Sequence, residues 1–298
     1  MPPSEQELNR AILNTLVYAD VFDYPLTLAE IHRYLAGVNV PLETVSTFLD
    51  TSHSVQCIGP YYTLPGREAI IQTRMRREQE AARLWRAARA YGKVISALPF
   101  VRMVAVTGSL AMNNVDANAD IDYLVVTMPG RLWMCRLLVL VVTRVAALSG
   151  ISLCPNYLLT LNSLEITERS LYAAHEFTQM IPLSGMDTYQ HMVALNPWVR
   201  DYLPNADGMP GAALAAPEAA HSYPLRSLLE RILMTRPAGW LEDWEMRRKI
   251  HKLSLENSGN PEAAFSTDQC KGHSNRHGER TNMLMNERLT RLPPEYAK

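Results

Sequence analysis

The stretch VAVTGSLAMNNVDANADIDYLVVT, residues 104–127, holds the side chains whose types and spacing suit chemistry. Thr107-Gly108-Ser109 sits where an apolar run gives way to a helical pattern. Glycine lets a backbone approach a ligand closely, and the free N–H groups of a helix start favour an anion such as phosphate. Asp120 and Asp122 follow after the spacer 110–119, at the head of a second apolar run. Residues two apart on a strand share a face, so the two carboxylates project together. Aspartate has poor strand propensity and an ionised carboxylate is costly to bury. Paired hard oxygens offset that cost by holding Mg²⁺ or Mn²⁺, with Mg²⁺ taking one or two carboxylates and completing its shell from phosphate and water. A phosphate cradle beside a metal pair suits metal-assisted transfer of a phosphorus-containing group. The competing reading makes both acids solvated strand-end residues, with Asn113, Asn114, Asp116 and Asn118 as turn formers. It leaves the Gly-Ser pair and the spacing unexplained.

These residues need a scaffold. Periodicity predicts a strand over 101–107, a short helix over 109–114 and a strand over 120–127. A helix over 131–148 and a third strand near 151–161, ISLCPNYLLTL, complete the unit. Residues 165–203 read as helical, with Trp198 and Tyr202 as packing anchors. The alternation predicts an α/β (α+β) core built on a mixed sheet.

Gly-Ser, a spacer and Asp-Ile-Asp between apolar strands resembles the DNA polymerase β-type nucleotidyltransferase superfamily, over roughly residues 100–165. The resemblance implies that Gly108 and Ser109 hold the triphosphate and that Asp120 and Asp122 are catalytic metal ligands. It implies Mg²⁺-dependent transfer of a nucleoside monophosphate from a triphosphate such as ATP to a hydroxyl or amine. A small molecule, a protein side chain or an RNA end each fits as acceptor. Members of the superfamily usually carry a third carboxylate on the next strand, and there this chain has LCPNYLLT, with Asn156 the nearest polar residue. An amide takes no proton at neutral pH. Glu165 is the nearest substitute in sequence. The alternative is a non-catalytic nucleotide-binding or regulatory protein.

Before the core, residues 1–66 read as a winged helix: three short helices and a hairpin around Gly59-Pro60. Its first helix carries a Leu8, Ile12, Leu16 and Ala19 stripe, and its second opens on a Thr27–Glu30 capping box. The third is expected to bury Leu42, Val45, Phe48 and Leu49. Its outward positions, Glu43, Thr44, Ser46, Thr47 and Asp50, offer no base for DNA reading. Contacts to a protein partner suit it better. Residues 67–98 read as one long connecting helix rich in arginine, among them Arg74, Arg76 and Arg77. The plain reading is a solvated face paired with Glu78 and Glu80, and the alternative is a polyphosphate or RNA track.

The core with its helical extension is assigned to residues 99–203, a Pro/Ala/Gly linker to 204–224, and a helical region with a polar, mobile tail to 225–298. Arg131, just after the second strand, is a candidate nucleotide contact. Cys270, His273 and His277 have spacings that zinc can use but lack a fourth ligand, and Lys271 or His273 is a candidate for folding over the cleft onto phosphate. His175-Glu176 lacks the second His of a helical zinc motif and reads as ordinary helix surface.

The 298 residues, 47% hydrophobic and 20% charged, are those of a globular chain with a sizeable core. A net charge of −1 provides no general attraction to nucleic acid or to an anionic membrane. Four scattered cysteines and the lack of a signal-peptide pattern predict reduced thiols and a cytoplasmic protein. Arg136 and Arg144 inside the most apolar stretch, 132–148, argue against a membrane span.

Overall fold

The computed structural model describes residues 3–210, 224–260, 262–272 and 277–293. The chain opens with helix α1 (Glu5–Asp20), strand β1 (Leu26–Thr27) and helices α2 (Leu28–Arg33) and α3 (Leu42–Thr51). Strands β2 (Gln56–Ile58) and β3 (Tyr61–Thr63) follow, and β1-β3-β2 form a small antiparallel sheet. Local chemistry starts the helices. Ser4 and Glu7 cap α1 reciprocally, and Thr27 and Glu30 do the same for α2. Ile12, Leu16, Ile31, Leu35 and Val45 form the interior of this unit. Leu42, expected inside, is 38% exposed, because the first turn of α3 after Pro41 points outward.

Helix α4 (Ile70–Ser96) carries the arginines, and two of them are not solvated. Arg74 is buried and reaches back to α2, with Nη1 and Nη2 at 2.7 and 2.9 Å from the Glu30 carboxylate. Its Nε donates to Glu78, and its guanidinium lies over the rings of Tyr24 and Tyr61. Against the upward push of burial, Arg74 and the Thr27 donors hold the Glu30 carboxyl below its ordinary value. Arg77 grips the Phe22 carbonyl, Asn114 and Asp116. Arg83 is a surface residue paired with Glu80.

The second sheet is mixed. Strand β4 (Val101–Val106) leads through the single turn α5 (Gly108–Ala111) to β5 (Ile121–Thr127), antiparallel to it. Helix α6 (Leu132–Leu148) crosses to β6 (Leu153–Thr160), parallel to β5. The segment expected to be helical throughout, 165–203, is not. After helix α7 (Leu171–Gln179), strand β7 (Ile181–Ser184) joins the free edge of β4, and α8 (Met186–Leu195) and α9 (Val199–Tyr202) follow. The short apolar run IPLS fits an edge strand as well as a helix, and only the open edge of β4 selects between them.

Helices α10 (Pro224–Leu233) and α11 (Arg236–Glu256) lead to strands β8 (Ala264–Phe265) and β9 (Gln269–Lys271), then to α12 (His277–Arg291). The sheet order is β7-β4-β5-β6-β9-β8. Part of the stretch expected to be a mobile tail therefore closes the other edge of the core, with Cys270 buried. Most of the expected linker, 211–223, lies outside the described residues. No helix among the described residues is long and apolar enough to cross a membrane.

Side chains alternate across this sheet. Val104, Val106, Tyr123 and Val125 face α4 and α6, while Met103, Ala105, Leu124 and Val126 face α7 to α9. Asp122, two residues before Leu124, therefore belongs to the α7 side. Breaking a buried ion pair by removing one partner is strongly destabilising. Arg74→Ala should thus lower the unfolding free energy by about 3 kcal/mol in urea titrations. Arg83→Ala, a change at a surface pair, should move it by less than about 0.5 kcal/mol.

Candidate functional site

The end of the sheet where β4 finishes and β5 and β6 begin holds a cavity of about 540 Å³. Pairing runs one residue past β4, with the Thr107 N–H donating to the Asp122 carbonyl at 3.1 Å. Gly108 follows with φ +65°. A Cβ there would stand 2.5 Å from Asp122 Oδ2, so the position requires glycine for conformation and for space. Ser109 is exposed beside it. Helix α5 is a single turn, so it offers N–H groups and the Ser109 hydroxyl to a phosphate rather than an appreciable macrodipole. Asn113, at φ +55°, accepts from Trp85 Nε1 at 2.7 Å, and Asn114 donates to the Phe22 carbonyl. These turn residues fasten the Ser109 to Asp120 loop to α4 and to the end of α1.

Asp122 is partly buried and Asp120 is exposed, and both line the cavity. The register between β5 and β6 slips here: Asp122 pairs with Cys154, but Leu124 pairs with Tyr157. Pro155, which has no N–H to give the ladder, sits within the slip. Asn156 beside it donates Nδ2 to Asp122 Oδ1 at 2.5 Å. Burial pushes the Asp122 carboxyl up to about 6, Asn156 works against it, and the Asp120 charge adds to it. Asn156 thus orients the Asp122 carboxylate and takes no proton itself.

A third carboxylate at the cavity comes from a helix. Tyr172, His175, Glu176 and Gln179 lie at i, i+3, i+4 and i+7 on α7 and line the cavity together. His175-Glu176 is therefore not ordinary helix surface. His175 is buried, stacked on Tyr18 with ring centroids 3.8 Å apart and planes 9° from parallel, and burial lowers its imidazole to about 3. Glu176 faces the aspartates. Burial foremost, and the Asp122 charge after it, push its carboxyl up to about 7 against the opposing Lys271. The helical spacing was the available signal, but which face α7 turns inward depends on the sheet beneath it.

Glu165, the sequence-nearest substitute, is an exposed residue paired with Arg169 and does not line the cavity. Arg131 sits at the opposite end of β5, about 20 Å of strand away, over the ring of Phe100. It cannot touch a nucleotide held at Gly108-Ser109. Lys271 is tied to Glu168 at 2.8 Å below the cavity. His277 lines the cavity, Cys270 is buried in the sheet, and His273 lies outside the described residues. Among the described residues no group of three or more His, Cys, Asp or Glu side chains converges on one point. Two aspartates on one face, neither in an ion pair with a described residue, do suit a Mg²⁺ whose remaining ligands come from phosphate and water.

Comparison with protein-family models, with curated proteins and with solved structures gives no match to this chain.

Glu176 makes that geometry measurable through stability. Its folded carboxyl binds a proton up to about pH 7, against an ordinary value of 4.5. The folded chain therefore holds more protons between those values, and stability present below 4.5 is lost as the pH rises through 7. Glu176→Gln, which cannot ionise, should raise Tm at pH 8 by roughly 2–4 °C, the effect of about 1 kcal/mol in a large domain. At pH 5 calorimetric scans should show no such gain.

Proposed function

We propose that this protein is a Mg²⁺- or Mn²⁺-dependent nucleotidyltransferase that moves a nucleoside monophosphate from a nucleoside triphosphate to a hydroxyl or amine acceptor. The observation that carries this reading is the meeting of Gly108, Ser109, Asp120, Asp122 and Glu176 in one cavity at one end of a mixed sheet. The order of elements around it, with a winged-helix-like unit before a nucleotidyltransferase-like core, accords with it.

In this mechanism Asp120 and Asp122 would hold the divalent ion, and the Asn156 amide fixes the orientation of the Asp122 carboxylate. The bound metal supplies polarisation of the α-phosphate and offsets charge on departing pyrophosphate. Gly108 and Ser109 orient the phosphate through N–H and hydroxyl groups. Glu176 takes the proton of the acceptor hydroxyl as its oxygen bonds to the α-phosphorus. The bond from that phosphorus to the bridging oxygen breaks, and pyrophosphate leaves with the electron pair.

Asn156 in place of a strand carboxylate favours a second reading, a nucleotide-binding protein without turnover. Its winged helix would then serve protein contacts, since α3 exposes Glu43, Thr44, Thr47 and Asp50. Calorimetric titration of the four nucleoside triphosphates, with and without Mg²⁺, tests the shared premise. Binding to the wild type should require Mg²⁺ and weaken at least tenfold in Asp120→Asn. Equal binding in that variant would remove the metal assignment, and no binding to the wild type would remove the nucleotide. Glu176→Gln should keep Mg²⁺-nucleotide binding and lose more than about 100-fold in turnover of α-labelled triphosphate. Undiminished turnover would rule out Glu176 as the base.

A further inference from the structure

The cavity has two chemically different ends. Its carboxylate end belongs to the sheet and α7, and its other end is walled by the N-terminal unit. Tyr18, Ala19, Phe22 and Tyr24 contribute from α1 and the turn after it, and Tyr34 from the end of α2. This wall is fixed before any ligand arrives. Tyr18 is stacked on His175, the Tyr24 hydroxyl donates to Glu30 at 3.0 Å, and the Tyr34 hydroxyl donates to Met112 Sδ at 3.5 Å. Rigid aromatic surfaces suit a flat apolar body at little entropic cost.

A second, shallower cleft of about 660 Å³ lies on the far side of Ser109. It shares only Ser109 and Asn114 with the enclosed cavity. Arg76 of α4 overhangs it, with its side chain 69% exposed and 3.9 Å from Asp116. Glu80 and Asp116 line the same cleft, so phosphates leaving Ser109 in that direction meet one guanidinium between two carboxylates. Among its described lining residues the first cavity has no lysine or arginine, and Lys271, which acts on Glu176 from the adjoining cleft, is itself held by Glu168. Three carboxylates there repel an anionic acceptor, whereas a triphosphate would enter as its complex with the divalent ion at Asp120 and Asp122.

We infer that the enclosed aromatic end is the acceptor subsite, and that the acceptor is a small, flat, apolar molecule, uncharged or cationic, that presents a hydroxyl to Glu176. The inference rests on the nucleotidyltransferase reading, and it gives the N-terminal unit the role of a substrate wall. A volume of about 540 Å³ holds a small molecule in the usual range of such pockets, and the wall offers no basic track for a polynucleotide. The nucleotide's phosphates run outward beneath Arg76, so both substrates meet at Ser109 and Asp122.

Fluorescence titration with 2-naphthol tests the subsite without turnover. Phe22 is the wall residue to change, because it is 37% exposed and its backbone carbonyl, not its ring, receives Arg77 and Asn114. Wild-type protein should bind one 2-naphthol, with and without saturating Mg²⁺-ATP. Phe22→Ala should weaken that binding at least tenfold and leave Mg²⁺-ATP affinity within twofold. Ala19→Leu, which fills the same wall, should act likewise, and 2-naphthalenesulfonate should bind at least tenfold more weakly than 2-naphthol. Displacement of 2-naphthol by Mg²⁺-ATP would place the base in the aromatic end and overturn the assignment. So would unchanged affinity in both variants, or no binding to the wild type. Mg²⁺-ATP failing to bind while 2-naphthol binds would instead remove the transferase reading, and the acceptor role with it.

Discussion

A carboxylate at an inward-facing strand position organises this molecule. Asp122 stands on the α7 side of the sheet, two residues before Leu124, where a hydrophobic side chain would otherwise continue the core. Keeping it there shapes everything within reach. Position 108 has room for no side chain, the β6 ladder slips at Pro155, and the Asn156 amide supplies a hydrogen bond. Burial raises the carboxyl to about 6, a cost that no described cation offsets through an ion pair. In the proposed function a divalent ion held by Asp120 and Asp122 would answer that imbalance.

The cavity exists because the N-terminal unit is held at a fixed distance from that carboxylate. Arg74 ties α2 to α4 through Glu30. Buried Asp20 at the end of α1 receives Arg67 and Arg288, both at 2.6 Å, so the start of α4 and helix α12 converge on it. Arg33 donates to the carbonyls of Thr178, Asp207 and Gly208, and the Tyr18–His175 stack closes the remaining side. An N-terminal unit fastened this way presents α1, not α3, to the cavity.

The C-terminal helices serve the other end of the sheet by satisfying backbone donors. Glu230 of α10 accepts from the Phe100 N–H at 2.7 Å and from Arg102 and Arg226. Glu242 of α11 accepts from Trp133 and Met134, the open N–H groups at the start of α6. Both carboxylates do for the core what a capping residue does for its own helix. The sheet's two ends thus divide the labour: one is sealed by internal anions, and the other keeps its N–H groups and carboxylates for a ligand.

Local chemistry was legible from the residues alone. The Thr27–Glu30 capping box, the helical stripe of α1, the strands expected over 101–107 and 120–127 and the shared face of Asp120 and Asp122 depend on neighbours a few residues away. Gly108 also announced itself, although its space is taken by Asp122, a neighbour across strands, as well as by its own φ. Pairing across long separations was not legible. That IPLS becomes an edge strand, that Gln269–Lys271 joins β6, and that Arg74 is buried while Arg83 is not are set by which surface arrives from elsewhere. The same holds for Glu176 and Phe22. Helical spacing groups Glu176 with its neighbours, but only the sheet beneath α7 and the unit docked against it turn that stripe toward the aspartates. The sequence by itself determined the nucleus of the site, because strand period and turn conformation are short-range properties. Tertiary structure alone decided its third carboxylate and its apolar wall, because burial is a property of what packs against a residue.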